Sequence, residues 1–354
     1  MKVLIVSLRY FGDCFLSAAL ARPIKSSDPN TCVDLLTYRG NEKIIEASND
    51  IDHILTIEPN LNFQDFLRRF FSRRHDYDWA LITQESSRAV LAGFWLAKRV
   101  VKEKTVSDHR SWWKNFLVSD LCEQRSGHFL DRQAALLKPI LGFEPTLNPL
   151  TPVYDQKISD YIETFCHNPY IVCHLFSRYE DKNWSEKEWL YLIRKIQHKG
   201  LSVILTGGNT DDEKRNLQAL VNQLGNQQIK SVAGRLSFNQ SAYLISKARF
   251  YIGVDTAISH IAAATGTKTI CLFGPTDVTV WGPSPLSQRK PYNQSQCIQK
   301  NGNVTVIRNP AYLQCGNCHG HHCKFNKEDC QKALCMQTMS ARWIWSNLER
   351  LDLF

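Results

Sequence analysis

A chain of 354 residues with 43% hydrophobic and 22% charged residues has the make-up of an ordinary folded protein and, at roughly 150 residues per domain, the length of two domains. That balance excludes a disordered tail, a collagen-like repeat and a disulfide-held miniprotein, and no apolar run approaches the roughly 20 residues of a membrane-spanning helix. The 43 Lys and Arg outnumber the 34 Asp and Glu, a net charge of +9 that favours anionic partners without choosing among them.

The opening MKVLIVSLRYFGD has the basic start of a leader, but its apolar run meets Arg9 and Asp13 with no small-residue cleavage pattern. It reads instead as a first strand, Val3 to Leu8, of a cytoplasmic protein. A Gly-Asp turn, a helix from Cys14 to Lys25 and a second strand from Cys32 to Thr37 follow. Strand, helix, strand is a βαβ unit, and solid apolar runs mark parallel strands buried on both faces. Further strands are expected at His53 to Ile57 and Tyr77 to Thr83, which makes the first lobe doubly wound. From Phe63 to Lys114 the sequence turns basic and aromatic, as in Arg68-Arg69-Phe70-Phe71, Arg73-Arg74-His75, Lys98-Arg99 and Arg110-Ser111-Trp112-Trp113-Lys114. Two readings stay open: solvated helix faces, or a surface for phosphates or an anionic membrane face.

Pro145, Pro149 and Pro152 mark a linker, giving lobes of residues 1–152 and 153–338 and a C-terminal helix within 339–354. In the second lobe, strands are expected at Tyr170 to Phe176, Leu201 to Thr206, Phe250 to Val254 and, as the last strand, Thr269 to Phe273. Helices are expected at Ser185 to Lys199, with Trp184, Trp189 and Leu192 toward the core, at Asp211 to Leu224 and at Ser259 to Thr265. This is a second α/β doubly wound domain. No internal repeat is evident.

Open α/β sheets bind ligands outside the carboxyl ends of their strands, so the turns there carry the functional reading. Three stand out. In Arg9-Tyr10-Phe11-Gly12-Asp13, Asp13 is either a plain helix N-cap or a carboxylate held as a general base. In Ser177-Arg178-Tyr179-Glu180-Asp181-Lys182-Asn183-Trp184, Lys182 is either solvated or a point charge for phosphates. In Gly253-Val254-Asp255-Thr256-Ala257-Ile258-Ser259-His260, small residues opening a helix are either a capped start or a bare N-terminus for an anion. There is no GxGxxG after the first strand, no GxxxxGK[ST], no HExxH and no GxSxG, which disfavours dinucleotide oxidoreductases, P-loop enzymes and the commonest hydrolases.

Gly12-Asp13, Lys182-Asn183-Trp184, the run VDTAISHIAAATGTKTICLFGPTD and Trp281-Gly282-Pro283 together resemble glycosyltransferase family 9, the ADP-heptose:lipopolysaccharide heptosyltransferases. The resemblance covers nearly the whole chain, and Arg9 with Ser177-Arg178 is most similar to the heptosyltransferase III branch. It implies a GT-B fold: two Rossmann-like domains facing across a cleft, with a C-terminal helix, Arg342 to Leu353, returning to the first. The donor, ADP-L-glycero-D-manno-heptose, would sit on the second lobe. The acceptor, a lipopolysaccharide inner core, would sit on the basic first lobe. By this resemblance Asp13 is the base, Arg9 meets the acceptor, and Lys182, Asp255, Thr256, Ala257 and His260 meet the donor, His260 by contact or by packing. Glu213 matches the acidic residue for the ribose, with Asp212 an equally near neighbour. The resemblance also implies transfer with inversion at the anomeric carbon and no catalytic cofactor. Peripheral contact with the inner membrane follows from the acceptor class, and no nucleic-acid partner is expected. Rival readings are a relative acting on a protein acceptor such as an autotransporter, or a non-catalytic basic scaffold.

Of the twelve cysteines, seven are scattered and read as mostly buried thiols, while Cys315, Cys318, Cys323, Cys330 and Cys335 crowd one segment with His319, His321 and His322 between them. Spacing of this kind supplies tetrahedral ligands, so Cys315, Cys318, Cys323 and Cys330 are expected to hold a structural zinc or iron. Accumulated free thiols are the alternative, and Cys335-Met336 fits a packing run into the last helix.

Overall fold

The structure is a computed structural model that describes all residues except 46–47, 85, 105–111, 124, 156, 158–168, 226–227, 288, 314–332 and 352–354. It divides into two units, Met1–Thr151 and Pro152–Phe354. Among the described residues, no helix is long and apolar enough to cross a membrane.

In the first unit, β1 (Lys2–Ser7), β2 (Cys32–Tyr38), β3 (His53–Ile57), β4 (Tyr77–Ile82), β5 (Ala97–Glu103) and β6 (Asp120–Cys122) form one sheet in the order β3-β2-β1-β4-β5-β6. Every pair is parallel, with Val3 set between Val33 and Trp79. Val3, Leu4, Ile5 and Val6 are wholly buried, as helices on both faces require. The helix expected over 14–25 is longer and tightened midway: α1 (Phe11–Ser17), a 3-10 turn at Ala18–Leu20, then α2 (Ala21–Ser27). Asn62 caps α3 (Phe63–Arg69) and Ser86 caps α4 (Ser87–Leu96), each accepting a backbone N–H three residues on. Both helices bury apolar residues in one cluster, where Phe66, Phe70, Ala89 and Leu96 meet Leu4, Val6 and Ile82. Two short helices, α5 (Phe129–Ala134) and α6 (Lys138–Leu141), close the unit.

The sequence reading overlooked β5. Its charged residues Lys98 and Arg99 are exposed while Val100, Val101 and Lys102 are buried, so the strand has no clean apolar run to announce it.

The second unit repeats the plan. β7 (Tyr170–His174), β8 (Ser202–Thr206), β9 (Ile229–Ser231), β10 (Tyr251–Val254), β11 (Thr269–Phe273), β12 (Ile298–Asn301) and β13 (Val304–Arg308) are ordered β12-β13-β11-β10-β7-β8-β9. Each unit therefore starts with the strand that ends up mid-sheet, and its strand order reverses there: at β1/β4 in the first and at β7/β10 in the second. Thr269–Phe273 is not the last strand. β13 lies parallel beside it, and β12 folds back antiparallel on β13 through a turn in which Gly302 takes φ +58°. The β-branched run at 304–308 carried that signal, and the polar turn before it hid the pairing.

The helices here are α7 (Glu186–Gln197), α8 (Asp211–Leu224), α9 (Phe238–Ser246, opened by a Ser237/Gln240 capping box), α10 (Ala257–Ala264), α11 (Val278–Trp281), α12 (Leu334–Gln337) and α13 (Ala341–Arg350). Trp184, Trp189 and Leu192 are buried in the core as expected, and so are Cys335 and Met336.

The C-terminal helix presents a buried stripe of Ala341, Ile344, Trp345 and Leu348 that joins the second unit's core and packs along α7. Polar ties reinforce this: the Ala341 N–H donates to Glu188 Oε2 at 2.6 Å, and Lys199 pairs with Glu349 at 3.3 Å.

Candidate active site

The second unit's switch point gathers the most chemistry. The loop after β7 ends in a 3-10 turn, Glu180–Lys182, that aims Lys182 Nζ at Asp255 Oδ2, 2.7 Å away, in the loop after β10. Both side chains are largely buried, at 14% and 6% exposed, so this is an ion pair shielded from bulk water. The next two residues hold the turn. Asn183 Oδ1 accepts the Ser177 N–H at 2.6 Å, and the Trp184 indole N–H donates to the Met339 carbonyl at 2.8 Å. Gln337 also donates to the Asn183 carbonyl at 3.0 Å, so the segment before α13 braces this loop.

Burial by itself would raise the Asp255 pKa, but the Lys182 and His260 charges and the Thr276 hydroxyl outweigh it and hold the carboxyl below the ordinary range. His260 is dominated by burial, which pushes its pKa down to about 4 even though Asp255 pulls it up. The ring is therefore neutral near pH 7, and its buried Nδ1 has no hydrogen-bond partner. Thr256 precedes α10 in an extended conformation, caps nothing, and leaves its own buried hydroxyl unpartnered. Ser259 turns inward instead, donating to the Val254 carbonyl at 2.6 Å. Uncapped N–H groups of α10 and unpartnered polar atoms beside a fixed lysine form a site suited to an anion.

At the end of β8, Gly207 and Gly208 leave room for Glu213, the third residue of α8. A Cβ on Gly208 would fall 2.7 Å from Glu213 Oε2, so the carboxylate lies directly over the two glycines. Burial raises the Glu213 pKa, partly offset by the Gly208 N–H. Asp212 points outward, exposed and paired with Arg215. The geometry thus sets Glu213, the acid matched in sequence, apart from its neighbour Asp212 by burial. A cavity of about 420 Å³ nearby is lined by Lys214, Arg215, Ser231, Gly234 and Arg235.

In the first unit Asp13 is the third residue of α1, and Tyr10 takes the N-cap position with no side-chain cap, so the plain N-cap reading of Asp13 is corrected. Gly12 lies inside the helix and is not among the positive-φ glycines, so the expected Gly-Asp turn is the first turn of α1. Arg9 Nη1 lies 3.8 Å from Asp13 Oδ1, with the carboxylate 15% exposed. Asn41, buried after β2, donates to the Arg9 carbonyl at 2.6 Å and so fixes the turn.

Two switch-point residues escaped the sequence reading. Gln84, just past β4, has both amide atoms buried without a hydrogen-bond partner. His174, the last residue of β7, is buried with Nδ1 2.9 Å from Thr206 Oγ1, and burial lowers its pKa to about 4. Their place at strand ends was the available signal, hidden because neither belongs to a motif.

The proposed metal ligands Cys315, Cys318, Cys323 and Cys330 lie outside the described residues. Among the described residues, Cys32, Asp34 and His53 bring ligand atoms within 4.8 Å of one another. Hydrogen bonds already account for this trio: Asp34 Oδ1 takes His53 Nδ1 at 3.0 Å and Oδ2 takes the Tyr77 hydroxyl at 2.7 Å. Of the scattered cysteines, Cys14, Cys173 and Cys271 are buried, and Cys32, Cys122 and Cys297 are half-buried.

Comparison with known proteins follows the same lines. The model of glycosyltransferase family 9 (heptosyltransferase) matches residues 70–309. Lipopolysaccharide heptosyltransferase 3 of Escherichia coli strain K12 is 26% identical over 291 residues, spanning 78% of this chain and 83% of that protein. A family 9 glycosyl transferase from Veillonella parvula superposes with a TM-score of 0.75 at 12% identity, covering 99% of this chain and 96% of that one. The E. coli heptosyltransferase WaaC, solved with ADP, gives 0.71 at 18% identity and covers 99% of both chains.

Proposed function

Because the chain belongs to glycosyltransferase family 9, the heptosyltransferases, we propose that it moves L-glycero-D-manno-heptose from ADP-heptose to the inner core of lipopolysaccharide with inversion at the anomeric carbon. The observation that carries this reading is the buried Lys182–Asp255 pair at the uncapped start of α10. Departure of ADP builds negative charge on the β-phosphate, and a lysine ammonium beside helix N–H groups stabilises charge at that position. Asp255 keeps Lys182 aimed, Thr256 and Ala257 present the N–H end, and the neutral His260 offers Nδ1 to a donor hydroxyl. Glu213 takes the ribose hydroxyls.

On the first unit Asp13 removes the proton of an acceptor hydroxyl, whose oxygen bonds to the anomeric carbon as the bond to the β-phosphate oxygen breaks. Arg9, beside the Asp13 carboxylate, meets carboxylates or phosphates of the acceptor. The reaction is placed in the cytoplasm. Cys315, Cys318, Cys323 and Cys330 are proposed, on spacing alone, to hold one structural zinc or iron. One equivalent of metal in the purified protein supports this, and a metal-free preparation that keeps its melting temperature in chelator refutes it.

The deciding assay measures ADP release from ADP-heptose with and without a truncated lipopolysaccharide core, using Asp13→Ala as control. Acceptor-dependent release lost in the variant supports donor, acceptor and base together. Donor binding without acceptor-dependent release redirects the search to a protein acceptor, and no donor binding overturns the reading.

A further inference from the structure

Away from the strand ends that carry the site, the first sheet builds a cluster of ligand atoms by its own register. Cys32 and Asp34 stand two apart on β2 and so share a face, and Asp34 is the register partner of His53 on the neighbouring parallel strand β3. Hydrogen bonds hold the three together, yet they crowd one atom. Asp34 Oδ1 faces the His53 backbone N–H at 3.1 Å, His53 Nδ1 at 3.0 Å and Cys32 Sγ at 3.4 Å, three groups for the two lone pairs of a carboxylate oxygen. The other oxygen accepts the buried Tyr77 hydroxyl at 2.7 Å, which fixes the carboxylate. A tetrahedral ion with bonds of about 2.0–2.3 Å spaces its ligands by roughly 3.4–3.6 Å. The distances from Oδ1 to Nδ1 and Sγ stand within a few tenths of an ångström of that spacing, and all three ligand atoms lie within 4.8 Å of one another.

We propose that Cys32, Asp34 and His53 bind one divalent cation of the zinc class. One thiol, one imidazole and one carboxylate select a borderline-soft ion over magnesium or calcium, which take sets of oxygens. On binding, the Cys32 thiol proton passes to solvent and the His53 ring keeps its one proton on Nε2, so Nδ1 and Sγ stop competing for Oδ1 and each bonds the ion. The His53 side chain is 71% exposed, which gives the ion a way in and leaves water as its fourth ligand. Tyr77 acts as a positioning residue by orienting the Asp34 carboxylate. The cluster lies at the amino ends of β2 and β3, whereas Asp13 follows the carboxyl end of β1. The ion therefore clamps the edge strand β3 to β2 and takes no part in sugar transfer.

The test adds zinc, or cobalt(II) as a coloured probe, to the full chain after dialysis against chelator, with Cys32→Ala, His53→Gln and Tyr77→Phe alongside. Wild type is expected to bind one equivalent more than Cys32→Ala or His53→Gln, whatever the segment 315–330 common to all of them holds. The cobalt difference spectrum of wild type against Cys32→Ala should show thiolate-to-metal charge transfer. Tyr77→Phe should keep the equivalent and bind it about tenfold more weakly. Zinc should raise the melting temperature of wild type more than that of His53→Gln, a change at an exposed side chain that reports even if Cys32→Ala folds poorly. Equal zinc uptake by wild type and His53→Gln, equal stabilisation of the two by zinc, or displacement of the extra equivalent by magnesium would overturn the proposal. The metal count needs neither donor nor acceptor, so failure of the heptosyl reading shows in the ADP assay and leaves this result separate.

Discussion

Lys182 and Asp255 sit 73 positions apart in sequence and 2.7 Å apart in space, and the energetics of their pairing set what single substitutions do. Removing one partner of a buried pair strands the other charge, at a cost of about 3 kcal/mol, whereas removing both leaves no stranded charge. Lys182→Met and Asp255→Ala are each expected to lower urea stability by about that amount, and the double variant by less than their sum. Both single variants should also lose ADP release. The pH response follows from the shifted groups near the same switch point. His174 and His260 have folded pKa values of about 4 against 6.5 unfolded, so between those values the unfolded chain binds protons that the folded one refuses. Stability therefore falls as pH drops from about 6.5 toward 4, by up to about 3 kcal/mol per histidine, and His174→Gln and His260→Gln should each flatten the profile. Asp255, with its pKa lowered, acts further down: its contribution is complete above its unfolded pKa near 3.8 and is lost as pH falls through the lower folded value. Urea midpoints measured from pH 7 down to pH 4 check the histidine window.

The elements explain why residues with no polar role toward substrate matter to the site. The Lys182 turn is tied to Ser177 by Asn183 and to the segment before α13 by Trp184. Asn183→Ala frees the turn without touching the lysine charge, so KM for ADP-heptose should rise more than kcat falls. Ile344 is fully buried where α13 packs on α7, and Ile344→Ala is expected to cost about 3 kcal/mol of unfolding free energy. Most strands and the long helices were legible because apolar runs or a 3.6-residue period bounded by polar caps announce them, as in α8 with Thr210 before it and Gly225 after it. β5 and β13 were not. One is flanked by charge and the other follows a polar turn, and each owes its place to its neighbour in the sheet.

Across the whole molecule, the +9 charge and the arginines of the first unit predict that acceptor binding weakens with ionic strength. KM for an anionic core acceptor should rise between low and high salt while KM for the donor, held by a shielded ion pair, changes less. Steady-state kinetics at two salt concentrations distinguish this from a general loss of activity. The two units share a strand order, each reversing beside its first strand, and the proposed chemistry falls at those reversals in both. The residues of the Gly-Asp, Lys-Asn-Trp and Asp-Thr-Ala turns were legible because they follow strands that could be read.

By itself the sequence determined the α/β class, the linker near Pro152, the family and the strand-end turns, since these depend on local periodicity and on residues close in the chain. Tertiary structure alone decided that Lys182 meets Asp255, that Glu213 rather than Asp212 covers the glycines, and that α13 belongs to the second unit. It also decided which aromatics stay in water. The physical reason is common to all four: burial and pairing depend on which elements pack together, and no local pattern in the chain encodes that choice.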